Sequence, residues 1–187
     1  MLTNDDDGTR NVWLEAASAY FGEPMIKRAY NVEEAFNKTR EQVMEFFDAC
    51  IETIFNTVPV RDQAAQTLRT LAERGCLVHL ITHRDTRHRQ ITENWLQRHG
   101  IPYHSLSMCP TGFGYSKRDR CLELGVQFFV DDKLENAEEV ASSGIYTLLF
   151  HASHNAMRPT NLPLVKNWRE IGEHIDLFLE QRRRQAR

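Results

Sequence analysis

From Cys76 onward the chain repeats one phrase, and that phrase dictates a sheet. Leu77-Val78-His79-Leu80-Ile81 is a short apolar run rich in strand formers, followed by the polar Thr82-His83-Arg84 and a helical pattern carrying Ile91, Trp95 and Leu96. A weaker run from Tyr103 to Met108 precedes a glycine-bearing loop and a helix from about Ser116. Phe128 to Val130 precedes a helix from about Glu135, and Ile145 to Phe150 is a further strand. Strands that alternate with helices join through right-handed crossovers into a parallel sheet, and ligands sit beyond the carboxyl ends of its strands. The expected fold class is therefore α/β, a parallel sheet flanked by helices. The final segment sets Trp168, Ile171, Ile175, Phe178 and Leu179 on one helical face that should pack on the sheet, and its basic end reads as a solvated tail.

The first third of the chain follows a different period. Val12, Ala16 and Tyr20 recur on one helical face until Gly22-Glu23-Pro24 interrupts them. A longer helix is then expected, with Val32, Phe36, Thr39, Val43, Phe46, Phe47, Cys50, Ile51 and Ile54 on one stripe. Pro59 breaks it, and a further helix through Ala64, Leu68, Leu71 and Ala72 ends at Gly75, a natural left-handed cap. A chain of 187 residues can bury one good core plus a small insertion. Its net charge of -3 offers no general electrostatic case for nucleic acid or an anionic membrane, and no partner of either kind is expected. The first residues carry three aspartates instead of a basic and then apolar leader, and no window has the length of a membrane span, so a cytoplasmic setting is expected. Cys50, Cys76, Cys109 and Cys121 lack metal-ligand spacing and read as reduced thiols.

Two acidic clusters carry the chemistry. Asp5-Asp6-Asp7-Gly8-Thr9 lies at the start of the chain, and Asp131-Asp132 follows the strand Phe128 to Val130. Residues two apart on an extended segment point the same way, so Asp5 and Asp7 can face one pocket while Asp6 faces away. Carboxylates at the ends of separate strands can converge on one divalent cation, as phosphoryl chemistry requires. Thr82 closes a strand and Lys117 opens a helix between the two clusters.

In this order the four features resemble the motifs of the haloacid dehalogenase superfamily of phosphatases. The resemblance implies a Rossmann-like core over residues 1–10 and 59–187, with residues 11–58 as a helical cap inserted after the first strand. It implies Asp5 as nucleophile, Asp7 as general acid and then base, Thr82 as hydrogen-bond donor to the phosphoryl group and Lys117 as the cation that offsets its charge. Magnesium would be held by Asp5, Asp7 and Asp132, with Asp131 in support. Ile81-Thr82-His83-Arg84 and Asp131-Asp132-Lys133-Leu134-Glu135-Asn136 look like the nucleotidase branch related to pyrimidine deoxyribonucleotidases, which makes His83 and Arg84 candidate substrate contacts and a nucleotide the expected small phosphorylated substrate. A sugar-phosphate phosphatase and a catalytically silent binding domain are the alternatives. Asp6 departs from the pattern, because the family has an apolar residue there and a buried carboxylate must be paired or protonated. Either Asp6 finds a partner, the chain starts elsewhere, or the site is degenerate.

Overall fold

The computed structural model describes residues 2, 3, 6, 11–27, 29, 31–110 and 115–185. The chain forms two compact units, one of residues 2–60 with 152–158 and the other of residues 61–151 with 159–187.

The first unit is built on α1 (Val12–Phe21), α2 (Val32–Phe36) and α3 (Arg40–Thr57). Asn11 starts α1 by accepting a hydrogen bond from the Leu14 amide at 3.0 Å. Leu14 and Ala17 are the fully buried residues of α1; of the expected stripe, Ala16 packs half-buried against the same cluster, and Tyr20 is exposed with its ring 5.6 Å from that of Phe46. Leu14, Ala17 and Phe21 stand at i, i+3 and i+7, and this stripe meets α2 and α3 in one cluster with Val32, Ala35, Phe36, Val43 and Phe46. The expected long helix is two helices. Asn37 takes a left-handed conformation (φ 51°) and ends α2, a geometry asparagine tolerates better than most residues. Thr39 then opens α3 with a capping box, its hydroxyl accepting from the Gln42 amide at 3.4 Å while the Gln42 side chain accepts from the Thr39 amide at 3.0 Å. Thr39 therefore caps where the stripe had it packing. Phe21 lies 5.7 Å from both Phe36 and Phe46, and Trp13 meets Phe47 edge-on at 5.4 Å, so these rings stabilise the unit's own interior.

The second unit runs α4 (Ala64–Glu73), β1 (His79–Asp85), α5 (Arg89–Arg98), β2 (Ser105–Cys109), α6 (Lys117–Glu123), β3 (Phe128–Asp131), α7 (Leu134–Ala141), β4 (Tyr146–Phe150), β5 (Leu164–Val165) and α8 (Trp168–Gln185). α4 stops at Gly75 (φ 83°), where the Cys76 amide reaches back to the Leu71 carbonyl at 3.0 Å. All strand pairs are parallel, in the orders β1-β2 and β3-β4-β5, and among the described residues no strand joins β1 to β3. One cluster spans that division: Ile81 of β1 packs with Cys121, Phe129, Val140 and Ile145. Leu148, Leu149 and Phe150 are buried in succession, as expected of a parallel strand covered on both faces. The expected face of α8 is the one that packs, with Trp168 and Ile171 buried and Phe178 edge-on to Phe128 at 5.6 Å.

β1 runs later than its apolar residues suggested. Leu77 is 68% exposed, whereas the strand begins where His79 pairs with Ser105 and continues past Ile81 to Asp85. Two-residue β5 has too few positions to show a period and was not anticipated. No described helix is long and apolar enough to cross a membrane. Thr39→Ala should cost about 1 kcal/mol of stability, the usual loss for an N-cap hydroxyl, measured as a lower urea midpoint at unchanged slope.

Candidate active site

β1 carries an irregularity where the chemistry is expected. Thr82 pairs with Met108, but the next pair is Asp85 with Cys109, so His83 and Arg84 are looped out of register. The Thr82 hydroxyl accepts from the Arg84 amide at 3.1 Å, which fixes the side chain and leaves its own hydrogen to donate. Arg84 turns toward α5, donating to the Thr92 hydroxyl at 2.9 Å. His83 lies 3.2 Å from the Tyr115 carbonyl through Nε2 and edge-on to the Tyr115 ring at 5.6 Å. A carbonyl can only accept, so Nε2 bears the hydrogen and Nδ1 is left as an acceptor. Lost hydration lowers the pKa of His83, and the charges of Lys117 and Lys133 push the same way against the Tyr115 bond and Asp131. The ring is therefore neutral at neutral pH.

Lys117 and Asp131 form the centre of the arrangement. Ser116 caps α6 by accepting from the Asp119 amide at 3.1 Å, which sets Lys117 at the first helical position. Its ammonium donates to Asp131 Oδ2 at 2.6 Å, with side chains only 12% and 3% exposed. Asp131 ends β3, and its Oδ1 accepts from the Lys133 amide at 2.9 Å and from Asn136 Nδ2 at 3.4 Å. Burial alone would raise the pKa of this carboxyl, but the Lys117 charge and the three donors outweigh it and hold the pKa below the usual carboxylate range. Asp131 thus turns inward to the Lys133 amide ahead of α7, whose N-cap position is Lys133 and has no side-chain cap. The neighbouring Cys121 thiol is pushed up to about 11, mainly by burial, and is inert at neutral pH. Asn136 and the Tyr115 carbonyl were not singled out from sequence. Asn136 stood in the quoted phrase after Asp131, a spacing that returns its amide to that carboxylate across the first turn of α7.

Asp5 and Asp7 lie outside the described residues, as does the Gly112 to Gly114 loop. Among the described residues no three His, Cys, Asp or Glu side chains cluster as a metal site. Asp131 has three of its roughly four acceptor directions taken, so it has little left for a cation. Asp132, half-buried and next along the chain, supplies a second carboxylate at the end of β3. Hard oxygens of this kind suit magnesium in charge and type. A cleft of about 310 Å³ between α4 and α8, lined by Thr67, Leu71, Arg74 and Trp168, contains none of these residues.

In the other unit Asp6 finds a partner, the first of the three outcomes foreseen for it. It is 8% exposed, and its Oδ2 accepts from Ser153 Oγ at 2.6 Å and from Asn11 Nδ2 at 3.3 Å.

Because the folded pKa of Asp131 is depressed, the unfolded chain binds the proton more readily, and the stabilisation is complete above the ordinary aspartate pKa of about 3.9 and lost as pH falls below it. Lys117→Met removes the opposing charge and leaves burial to raise that pKa. This variant should lose about 3–5 kcal/mol at pH 7 and grow less stable as pH rises from 4, a range over which the parent's Asp131 contribution is already complete, in urea denaturation across that range. An NMR titration should place His83 below the ordinary histidine midpoint, and Lys133→Gln should raise it.

No protein-family model matches the chain. A nucleotidase of Clostridium acetobutylicum is 23% identical over 95% of this chain and 94% of its own length. A Chlorobaculum tepidum protein assigned as a 5'(3')-deoxyribonucleotidase is 26% identical over 76% of this chain and 68% of its own. Among solved structures, a haloacid dehalogenase superfamily hydrolase of subfamily IA from Geobacter sulfurreducens superposes with a TM-score of 0.59 at 14% identity, covering 94% of this chain and 90% of that one. The chain therefore has the fold of haloacid dehalogenase superfamily hydrolases, and its sequence is similar to those of nucleotidases.

Proposed function

We propose that this phosphatase is a magnesium-dependent phosphomonoesterase that acts on nucleoside monophosphates through an aspartyl phosphate. The carrying observation is the buried Lys117–Asp131 pair, with neutral His83 in its field and Thr82 fixed at the looped-out segment of β1. A dry ammonium and a hydroxyl with a free hydrogen are what an incoming phosphoryl dianion needs. In this reading a carboxylate oxygen of Asp5 attacks phosphorus in line as the ester P–O bond breaks, and Asp7 gives its proton to the departing alkoxide. Asp7 then takes a proton from water, whose oxygen attacks phosphorus, releases orthophosphate and frees Asp5. Thr82 donates to a phosphoryl oxygen, and Lys117 offsets its charge. Magnesium, when bound, neutralises phosphoryl charge, and Asp5, Asp7 and Asp132 with Asp131 would hold it.

In this reading residues 11–58 are the cap, whose role is to exclude water, and residues 1–10 and 59–187 are the core. His83 Nδ1 can accept a hydrogen bond from the leaving group, while Arg84, tied to Thr92, shapes the loop that presents it. The deoxyribonucleotidase assignment of one relative supports a nucleoside leaving group. Hydrolysis of p-nitrophenyl phosphate should require magnesium and stop with EDTA, and Asp5→Asn should lower kcat by roughly three orders of magnitude or more. An undiminished rate in that variant removes Asp5 as nucleophile. Against a panel of nucleoside monophosphates and sugar phosphates, kcat/KM should favour nucleotides by about tenfold or more, and equal values defeat the nucleotide assignment.

A further inference from the structure

We infer that Asp6 and Ser153 form a positioning latch that sets the acidic turn for catalysis, an inference that rests on the proposed role of Asp5 and Asp7. Asp6 is 8% exposed and pairs with Asn11 in an antiparallel bridge. Asn11 doubles the tie. Its Nδ2 donates to Asp6 Oδ2 at 3.3 Å while its Oδ1 accepts from the Leu14 amide at 3.0 Å, which couples Asp6 to the first turn of α1. A short bond comes from far along the chain: Ser153 Oγ donates to the same carboxylate oxygen at 2.6 Å, and His154 Nδ1 lies 4.0 Å from it.

The Ser153 loop is itself rigid. Asn155, 3% exposed, accepts from the Ala152 amide at 3.0 Å through its side chain and donates its own amide to the Ala152 carbonyl at 3.1 Å. An apolar residue at position 6 would be held by packing, which tolerates sliding. A charge-assisted bond of fixed direction holds position and azimuth together, and the residues bonded to Asp6 on either side are the proposed nucleophile and the proposed acid. In-line attack is sensitive to this, because a displacement near 1 Å costs up to about a hundredfold in rate.

The test uses the full-length protein with p-nitrophenyl phosphate and magnesium, beside amide hydrogen exchange of peptides spanning residues 3–11. Ser153→Ala should lower kcat per folded molecule about tenfold with KM changed less than about twofold, and should speed exchange in those peptides. Ser153→Thr, which keeps the hydroxyl, should restore both. A Ser153→Ala variant with a lower Tm but unaltered kcat and exchange in residues 3–11 overturns the latch and leaves Ser153 a merely structural residue. A wild-type protein that hydrolyses no phosphomonoester overturns the functional reading, and the exchange measurement still decides whether Ser153 holds the turn.

Discussion

A lysine and an aspartate taken almost completely out of water govern this structure. Desolvating the two charges is expensive, and an apolar pair of similar volume would stabilise the core at least as well. The Lys117–Asp131 pair is tolerable only because Asp131 is also given the Lys133 amide and the Asn136 side chain, so that its charge is met from three directions. Those donors belong to α6, to the turn after β3 and to α7, and the pair thereby ties the ends of three elements to one point. Its field reaches further: it enters the balance that keeps His83 neutral and acts on the Cys121 thiol. On the proposed function, a fixed ammonium in a dry site at the carboxyl end of a parallel strand would serve to hold a phosphoryl group.

The looped-out segment of β1 does complementary work. Regular pairing through Asp85 would have left His83 and Arg84 on alternate faces of the sheet. With the register broken after Thr82, His83 leans on Tyr115 ahead of α6 and Arg84 on Thr92 of α5, so the two helices flanking β1 are both pinned to it. Ile81, one residue before the irregularity, still packs with Phe129 and Val140, which keeps the displaced segment close to the end of β3. Packing below and hydrogen bonds above thus hold the same few residues.

The sequence made this half of the molecule readable because strand and helix periods alternate there, because Lys117 and Asp131 sit at the boundaries of elements, and because Thr82 closes the apolar part of β1. Boundaries were less readable where polar contacts outweigh apolar ones. β1 starts at His79 because of Ser105, and it extends to Asp85 through residues that carry no strand signal. In the helical unit the stripe from Val32 to Ile54 hid a break, since Asn37 and Thr39 fit a helical wheel as well as they fit a cap. The packed face of α1 was only partly legible for a related reason: with apolar residues at positions 12, 13, 14, 16, 17, 19, 20 and 21, it takes contact with α2 and α3 to bury Leu14 and Ala17 fully and Ala16 in part.

Asp6 shows where local reading must stop. Judged by the sequence around it alone, it is a carboxylate in an apolar position. The relief comes in part from Ser153, 147 residues away in sequence, on a loop whose composition carries no recognisable motif. The exchange of an apolar residue for an aspartate here cannot be reversed alone, because a valine at position 6 would strand the Ser153 hydroxyl and the Asn11 amide that now point at it. Position 6, position 11 and position 153 are therefore energetically coupled, held by directional bonds beside the residues proposed to do the chemistry.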